Sequence, residues 1–199
     1  AKVHKEGQRY SSKGYEVILI GHEGHPEVEG TMGRISGDVY LVSNTEDVKG
    51  LKVKNPSRLS YISQTTLSVD DTKVVIEALK KRFPEIEGPD VKDICYATQN
   101  RQSAVRDLVN HVDLILVVGA KNSSNSNRLR DLGEESGVNT FLIETADTLD
   151  RSWFDNVASV GITSGASTPD ELVQEVIDRI STFRKIQIKM RPGIEENVV

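Results

Sequence analysis

Three short apolar runs in the first half of the chain, Glu16 to Ile20, Val39 to Val42 and Leu59 to Ser63, each give way to a polar turn and a helical or helix-like segment. Apolar stretches of this length, bounded by turn residues, predict strands that feed helices. Ser68-Val-Asp-Asp71 then opens an amphipathic helix, with Ser68 as its cap and Asp70 and Asp71 in the first turn. That helix ends at Phe83-Pro84, with Lys80, Lys81 and Arg82 at its negative end. Glu85 to Asp90, containing Gly88-Pro89, reads as a linker. A second series follows: Ile94 to Ala97, a helix from about Gln99 to His111, a strand from Leu114 to Val118, a helix from about Ser126 to Glu135, and strands at Thr140 to Ile143 and Val157 to Ile162. A last helix is expected from Thr168 as cap, with Pro169 at its first position, to about Phe183. The pattern predicts an α/β protein of two similar small parallel-sheet domains, residues 1–92 and 93–185, with a tail at 186–199 whose Ile186 and Ile188 have no identifiable partner.

Chemistry enters where the apolar runs stop. Val17-Ile-Leu-Ile-Gly-His-Glu-Gly-His-Pro, Leu114-Ile-Leu-Val-Val-Gly-Ala-Lys-Asn-Ser and Val160-Gly-Ile-Thr-Ser-Gly-Ala-Ser-Thr-Pro share one design: a strand, a glycine-containing turn bearing imidazole, amide or hydroxyl groups, then a helix. Ligands of parallel α/β sheets bind at the carboxyl ends of strands, and a helix entry offers unpaired N–H groups and a positive dipole end to an anion. Ser123, Ser124 and Asn125 stand at such an entry within a run of polar residues from Asn122 to Asn127. Simple N-capping needs only one of them. His25, followed by Pro26 at a first helical turn, is aimed at strand ends where it could donate to an anion, and Glu27 is close enough to donate a proton to whatever His25 holds. Glu27 as a plain complement to the helix dipole is the competing account. Gln64-Thr65-Thr66, after the third strand, offers similar groups.

Other chemistries fit less well. His22 and His25 lack the four-residue spacing of a helical zinc pair. Gly161-Ile-Thr-Ser-Gly165 outlines a nucleophile elbow with Thr163 in the nucleophile's place, but no histidine lies downstream to complete a triad. The 25 Lys and Arg are scattered among 30 Asp and Glu, for a net charge of −5, so no broad basic face awaits a nucleic acid. No apolar stretch approaches the roughly 20 residues of a membrane span. Cys95 is the only cysteine, which excludes an internal disulfide and suits a reducing, cytoplasmic setting. It precedes an expected helix entry whose dipole would favour a thiolate, so a functional thiol and a small core residue both remain open.

Five segments in order carry a resemblance to the 4-hydroxy-3-methylbut-2-enyl diphosphate reductase family: Ile18 to Gly33, Gln64 to Asp71, Asp93 to Gln102, Val117 to Arg128 and Thr163 to Ser167. The resemblance implies reductive removal of an allylic hydroxyl in the methylerythritol phosphate route to isoprenoids, giving isopentenyl and dimethylallyl diphosphates. It also implies a 4Fe–4S cluster held by three cysteines and electrons from an external carrier such as ferredoxin or flavodoxin. Carried onto this chain, it makes Cys95 one of the three cluster cysteines, Glu27 the proton source and Thr65 a neighbour of the reacting end. His25, Ser123, Ser124, Asn125 and Ser167 would hold the diphosphate, with Asn125 also positioning the proton relay.

The family's fold has three similar α/β units around the cluster, and the resemblance covers only the second and third. Ala1 to His4 matches a point just past the family's second cysteine, and Gly193 to Val199 stops within a family motif, so the first unit, with two cluster cysteines, is expected to be missing from this chain. One thiolate cannot hold a four-iron cluster. The leading expectation is the larger part of such a reductase, inactive alone. The alternatives are a non-catalytic α/β module that binds diphosphates or another protein through the same turns, and a thiol enzyme built on Cys95.

Overall fold

The computed structural model describes residues 2–89 and 96–191, divided between two compact units, residues 1–95 and 96–199. In the first unit, α1 (Lys2–Ser12) precedes β1 (Glu16–Ile20), α2 (Pro26–Met32), β2 (Val39–Val42), α3 (Thr45–Gly50), β3 (Leu59–Ser63) and α4 (Val69–Arg82). All three strands are parallel, in the order β2-β1-β3. Every residue of β1 is buried. The run is apolar because it lies at the centre of a sheet covered on both faces. Ile18 and Ile20 pack towards α4 with Val75, Ile76 and Leu79, and Val17 and Leu19 pack the other way with Val3, Tyr10 and Val28.

The second unit repeats the plan with α5 (Tyr96–Leu108), β4 (Leu114–Val118), α6 (Ser124–Glu135), β5 (Asn139–Ile143), two short 3-10 turns, β6 (Val160–Ser164) and α7 (Asp170–Phe183). Its strand order, β5-β4-β6, is again all parallel, with a fully buried central strand. Val118 packs with Val176 and Ile180 of α7, whereas Ile115 and Val117 pack with Val105, Leu129 and Leu132. Among the described residues no helix is long and apolar enough to cross a membrane.

Both central strands begin beside an acidic anchor. The Glu16 carboxylate accepts hydrogen bonds from the Tyr40 hydroxyl at 2.6 Å and from the amides of Lys54 and Asn55 at 3.0 and 2.5 Å, which ties down the approach to β3. Asp113 does the same before β6, accepting from the amides of Ala158 and Ser159 at 3.0 and 2.8 Å. Burial alone would raise the Glu16 pKa, but the Tyr40 hydroxyl and the two amides outweigh it and hold the carboxyl below its ordinary value. The same bond pushes the Tyr40 phenol up to about 12. A depressed carboxylate stabilises the fold above its unfolded pKa and loses that contribution as pH falls through the folded one. Glu16→Gln should therefore lower stability at neutral pH by about 1–3 kcal/mol and flatten its acid dependence. Denaturant unfolding at neutral and acid pH measures both, and an unchanged acid slope would exclude Glu16 as the cause.

Five sequence expectations change. The helix α1 is additional, and its inward stripe is Val3, Gly7 and Tyr10; a Cβ on Gly7 would stand 2.3 Å from Ile35 Cδ1, so glycine permits the close approach. The expected linker is laid along β3: Tyr61 N donates to Glu87 O at 2.8 Å, Glu87 N donates to Leu59 O at 3.0 Å, and the Tyr61 hydroxyl donates to Pro89 O at 2.8 Å. The last strand starts at Val160 rather than Val157, because Asp113 takes the preceding amides. Thr168 does not cap α7, where Pro169 is the capping residue; its hydroxyl donates to Val118 O at 3.1 Å instead. Of the expected segment Ile94 to Ala97, Ile94 and Cys95 lie outside the described residues, and Tyr96 and Ala97 open α5.

Candidate functional site

In the first unit the carboxyl ends of β1 and β3 meet. Gly21 follows β1, and a Cβ there would come within 2.6 Å of Val28 Cγ2 and 3.3 Å of Gln64 Oε1, so glycine lets α2 and the end of β3 close on the turn. Gln64, 1% exposed, bridges the two loops: its Oε1 accepts from His22 N at 3.1 Å and its Nε2 donates to Thr66 Oγ1 at 3.0 Å. His25 is the N-cap of α2, and its Nδ1 accepts from Glu27 N at 3.1 Å. With Nδ1 accepting, the ring nitrogen that can donate is Nε2. Glu27 in turn receives Thr65 twice, from the amide at 3.1 Å and from the hydroxyl at 2.9 Å to Oε2. The two residues expected to work at the reacting end are thus in direct contact, although 38 positions apart.

In the second unit the turn after β4 enters α6 with Ser123 as N-cap, its Oγ accepting from Ser126 N at 3.3 Å and from Ser126 Oγ at 3.0 Å. The N-cap falls four residues after the glycine in both units, Gly21 to His25 and Gly119 to Ser123. Ser126 is buried where two glycines converge: a Cβ on either Gly119 or Gly165 would lie 2.3 Å from its Oγ. This brings the β4–α6 turn against the β6–α7 turn, which carries an exposed Ser167. Arg101 of α5 adds a bond from Nε to Ser164 O at 3.2 Å.

Asn125, in the first turn of α6, is only 6% exposed, and neither Oδ1 nor Nδ2 has a hydrogen-bond partner among the described residues. Such groups are rare because each costs about 1–3 kcal/mol when left unpaired. An amide can both donate and accept, so this pair suits a ligand that carries oxygens and a hydroxyl. Ser124 is half-buried beside it. Cys95 lies outside the described residues. With one cysteine in the chain, and no group of three His, Cys, Asp or Glu able to hold a metal among the described residues, the donors of this chain do not by themselves make a site for a four-iron cluster.

Reasoning from sequence named the helix-entry residues but missed the groups that seat them. Ser126 sits inside the polar run that drew attention to its neighbours, and only its burial between two glycines distinguishes it. Glu144, which accepts from Lys121 N at 3.0 Å, carried no sequence signal beyond an acid placed just after a strand.

These features define a parallel α/β protein whose strand-end turns carry polar residues into helix entries. A family model described as LytB protein matches residues 1–181, and the chain belongs to that family. It is 57% identical over 197 residues to 4-hydroxy-3-methylbut-2-enyl diphosphate reductase 1 of Rhodopseudomonas palustris, covering 99% of this chain and 64% of the relative. It is 58% identical to the reductase of Pseudoalteromonas translucida, with 100% and 65% covered. Among solved structures, the E-1-hydroxy-2-methyl-but-2-enyl-4-diphosphate reductase from Plasmodium falciparum superposes with a TM-score of 0.84 at 36% identity, over 90% of this chain and 57% of that one. The chain therefore spans about two thirds or less of the length of these relatives.

Proposed function

We propose that this chain supplies the diphosphate-binding and proton-donating parts of an enzyme that reduces 4-hydroxy-3-methylbut-2-enyl diphosphate to isopentenyl and dimethylallyl diphosphates. The observation that carries this reading is the buried Asn125 amide without a partner among the described residues, in the first turn of a helix capped by Ser123. In the second unit the Ser123 and Ser124 hydroxyls, Asn125 and Ser167 would hold diphosphate oxygens, and in the first unit His25 is a donor suited to the same kind of group. Binding energy from that remote anion would orient the alcohol for reaction. Glu27, fixed by Thr65, would deliver the proton on which the hydroxyl leaves as water. The two electrons would come from an external carrier such as ferredoxin or flavodoxin. The 4Fe–4S chemistry of the reaction would need Cys95 together with thiolates from a first unit that this chain does not contain, and the chain alone is expected to be inactive.

The single cysteine favours a second reading, a module that binds diphosphates without iron or turnover. Calorimetric titration of the chain with inorganic pyrophosphate tests the binding claim shared by both, and no uptake at millimolar concentration would defeat it. Anaerobic reconstitution with iron and sulfide then separates them. Joined with a unit supplying two further cysteines, the reductase part should gain a stable cluster absorbance and turn over, whereas the module should gain neither.

A further inference from the structure

The turn that presents Ser123, Ser124 and Asn125 has no apolar anchor of its own, since Ala120, Lys121 and Asn122 are all exposed. Its shape is held by polar bonds arriving from two directions. From α6, Asn127 Nδ2 donates to Lys121 O at 2.7 Å and to Ser123 O at 2.9 Å. From the end of β5, Glu144 Oε1 accepts Lys121 N at 3.0 Å, while its Oε2 lies 3.3 Å from Lys121 Nζ. Ser123 N closes the turn onto Ala120 O at 2.9 Å. The peptide planes on both sides of Lys121, and the one after Ser123, are therefore fixed by side chains outside the turn. We infer that Asn127 and Glu144 are positioning residues that preset the β4–α6 turn, so that Ser123, Ser124 and Asn125 meet a diphosphate without the turn first having to order.

The arrangement is economical in charge as well as in shape. Bonds from the amide and then the side chain of Lys121 keep the Glu144 carboxyl below its ordinary pKa, so it is ionised at neutral pH and holds the turn with charge-assisted bonds. The Lys121 ammonium lies against the same carboxylate as an exposed pair. Ordering a flexible turn on binding would subtract from affinity, and a turn already ordered avoids that loss. This role rests on the diphosphate reading above and adds to it two residues that need not touch the ligand.

Amide hydrogen exchange of the full chain, without ligand, reads the holding role directly, and titration with inorganic pyrophosphate reads its consequence. Asn127→Ala and Glu144→Ala should each speed exchange at the Lys121 and Ser123 amides by roughly tenfold. Exchange within β4 should stay as it was, and pyrophosphate affinity should fall severalfold. Glu144→Asp should recover part of both effects, which mere loss of bulk would not explain. If Glu144→Ala fails to fold, Glu144→Gln keeps an acceptor while removing the charge and should fall between the two. Unchanged exchange at both amides overturns the inference, and so does faster exchange with wild-type affinity. Should the unaltered chain take up no pyrophosphate, the diphosphate reading falls, and the exchange rates alone decide whether these residues hold the turn.

Discussion

Asn125→Leu should make the protein more stable and a poorer ligand binder at the same time. Its amide is buried with both polar atoms lacking partners among the described residues, and leucine has nearly the same volume without the desolvated dipole. Relief of that penalty should raise unfolding stability by about 1–3 kcal/mol. The same change removes a donor and an acceptor from the first turn of α6, and pyrophosphate affinity should drop at least tenfold, about 1.4 kcal/mol. Denaturant unfolding and calorimetry on one preparation give both numbers. A destabilised Asn125→Leu protein would mean that the amide is already satisfied within the molecule, and the main ground for a ligand there would be gone.

The second large effect is expected at Glu27, in a form of the protein provided with a full set of cluster thiolates. Glu27→Gln still accepts the Thr65 amide and hydroxyl, so the loop geometry should survive, but an amide has no acidic proton to give. Loss of a general acid costs roughly 10²–10⁴-fold in rate, and it should fall on kcat with little change in KM. Thr65→Val, which removes the 2.9 Å hydroxyl contact, should give a smaller kcat defect because the Thr65 amide still holds the carboxylate. Turnover of Glu27→Gln near that of the unaltered enzyme would assign the proton to another group.

The sheet strands were legible because burial on both faces demands continuous apolar runs, and β1 through β5 match the expected segments within a residue or so. What escaped was set by contacts between distant positions. Val157 to Ser159 carries as much strand character as its neighbours, but Asp113 claims two of its amides. Thr168 looks like a cap and is spent instead on the carbonyl of Val118. In α1 the buried stripe passes through Gly7, whose inward role depends on Ile35 and Ile62 and leaves no apolar mark in the sequence. The candidate site divides in the same way. Residue type at a helix entry or strand end pointed to His25, Glu27, Thr65, Ser123 and Asn125, and the likeness of motifs gave Glu27 and Thr65 their roles at the reacting end. The grip of Gln64 on two loops and that of Glu144 on Lys121 exist only once strands side by side bring their ends together.

The lap of residues 85–89 over β3 has a consequence for how the protein behaves in company. A parallel sheet has two rims of unsatisfied peptide groups, each a template for another chain's strand. Glu87 occupies the outward-facing Tyr61 amide and Leu59 carbonyl, and Gly88 lies so flat on the Tyr61 ring that a Cβ would come within 2.4 Å of it. At that stretch of the rim Tyr61 N and Leu59 O are already paired within the chain, and the Tyr61 ring is covered. A segment that reads as a mere tether between domains thereby takes the place that another molecule's strand would have at that stretch of the rim.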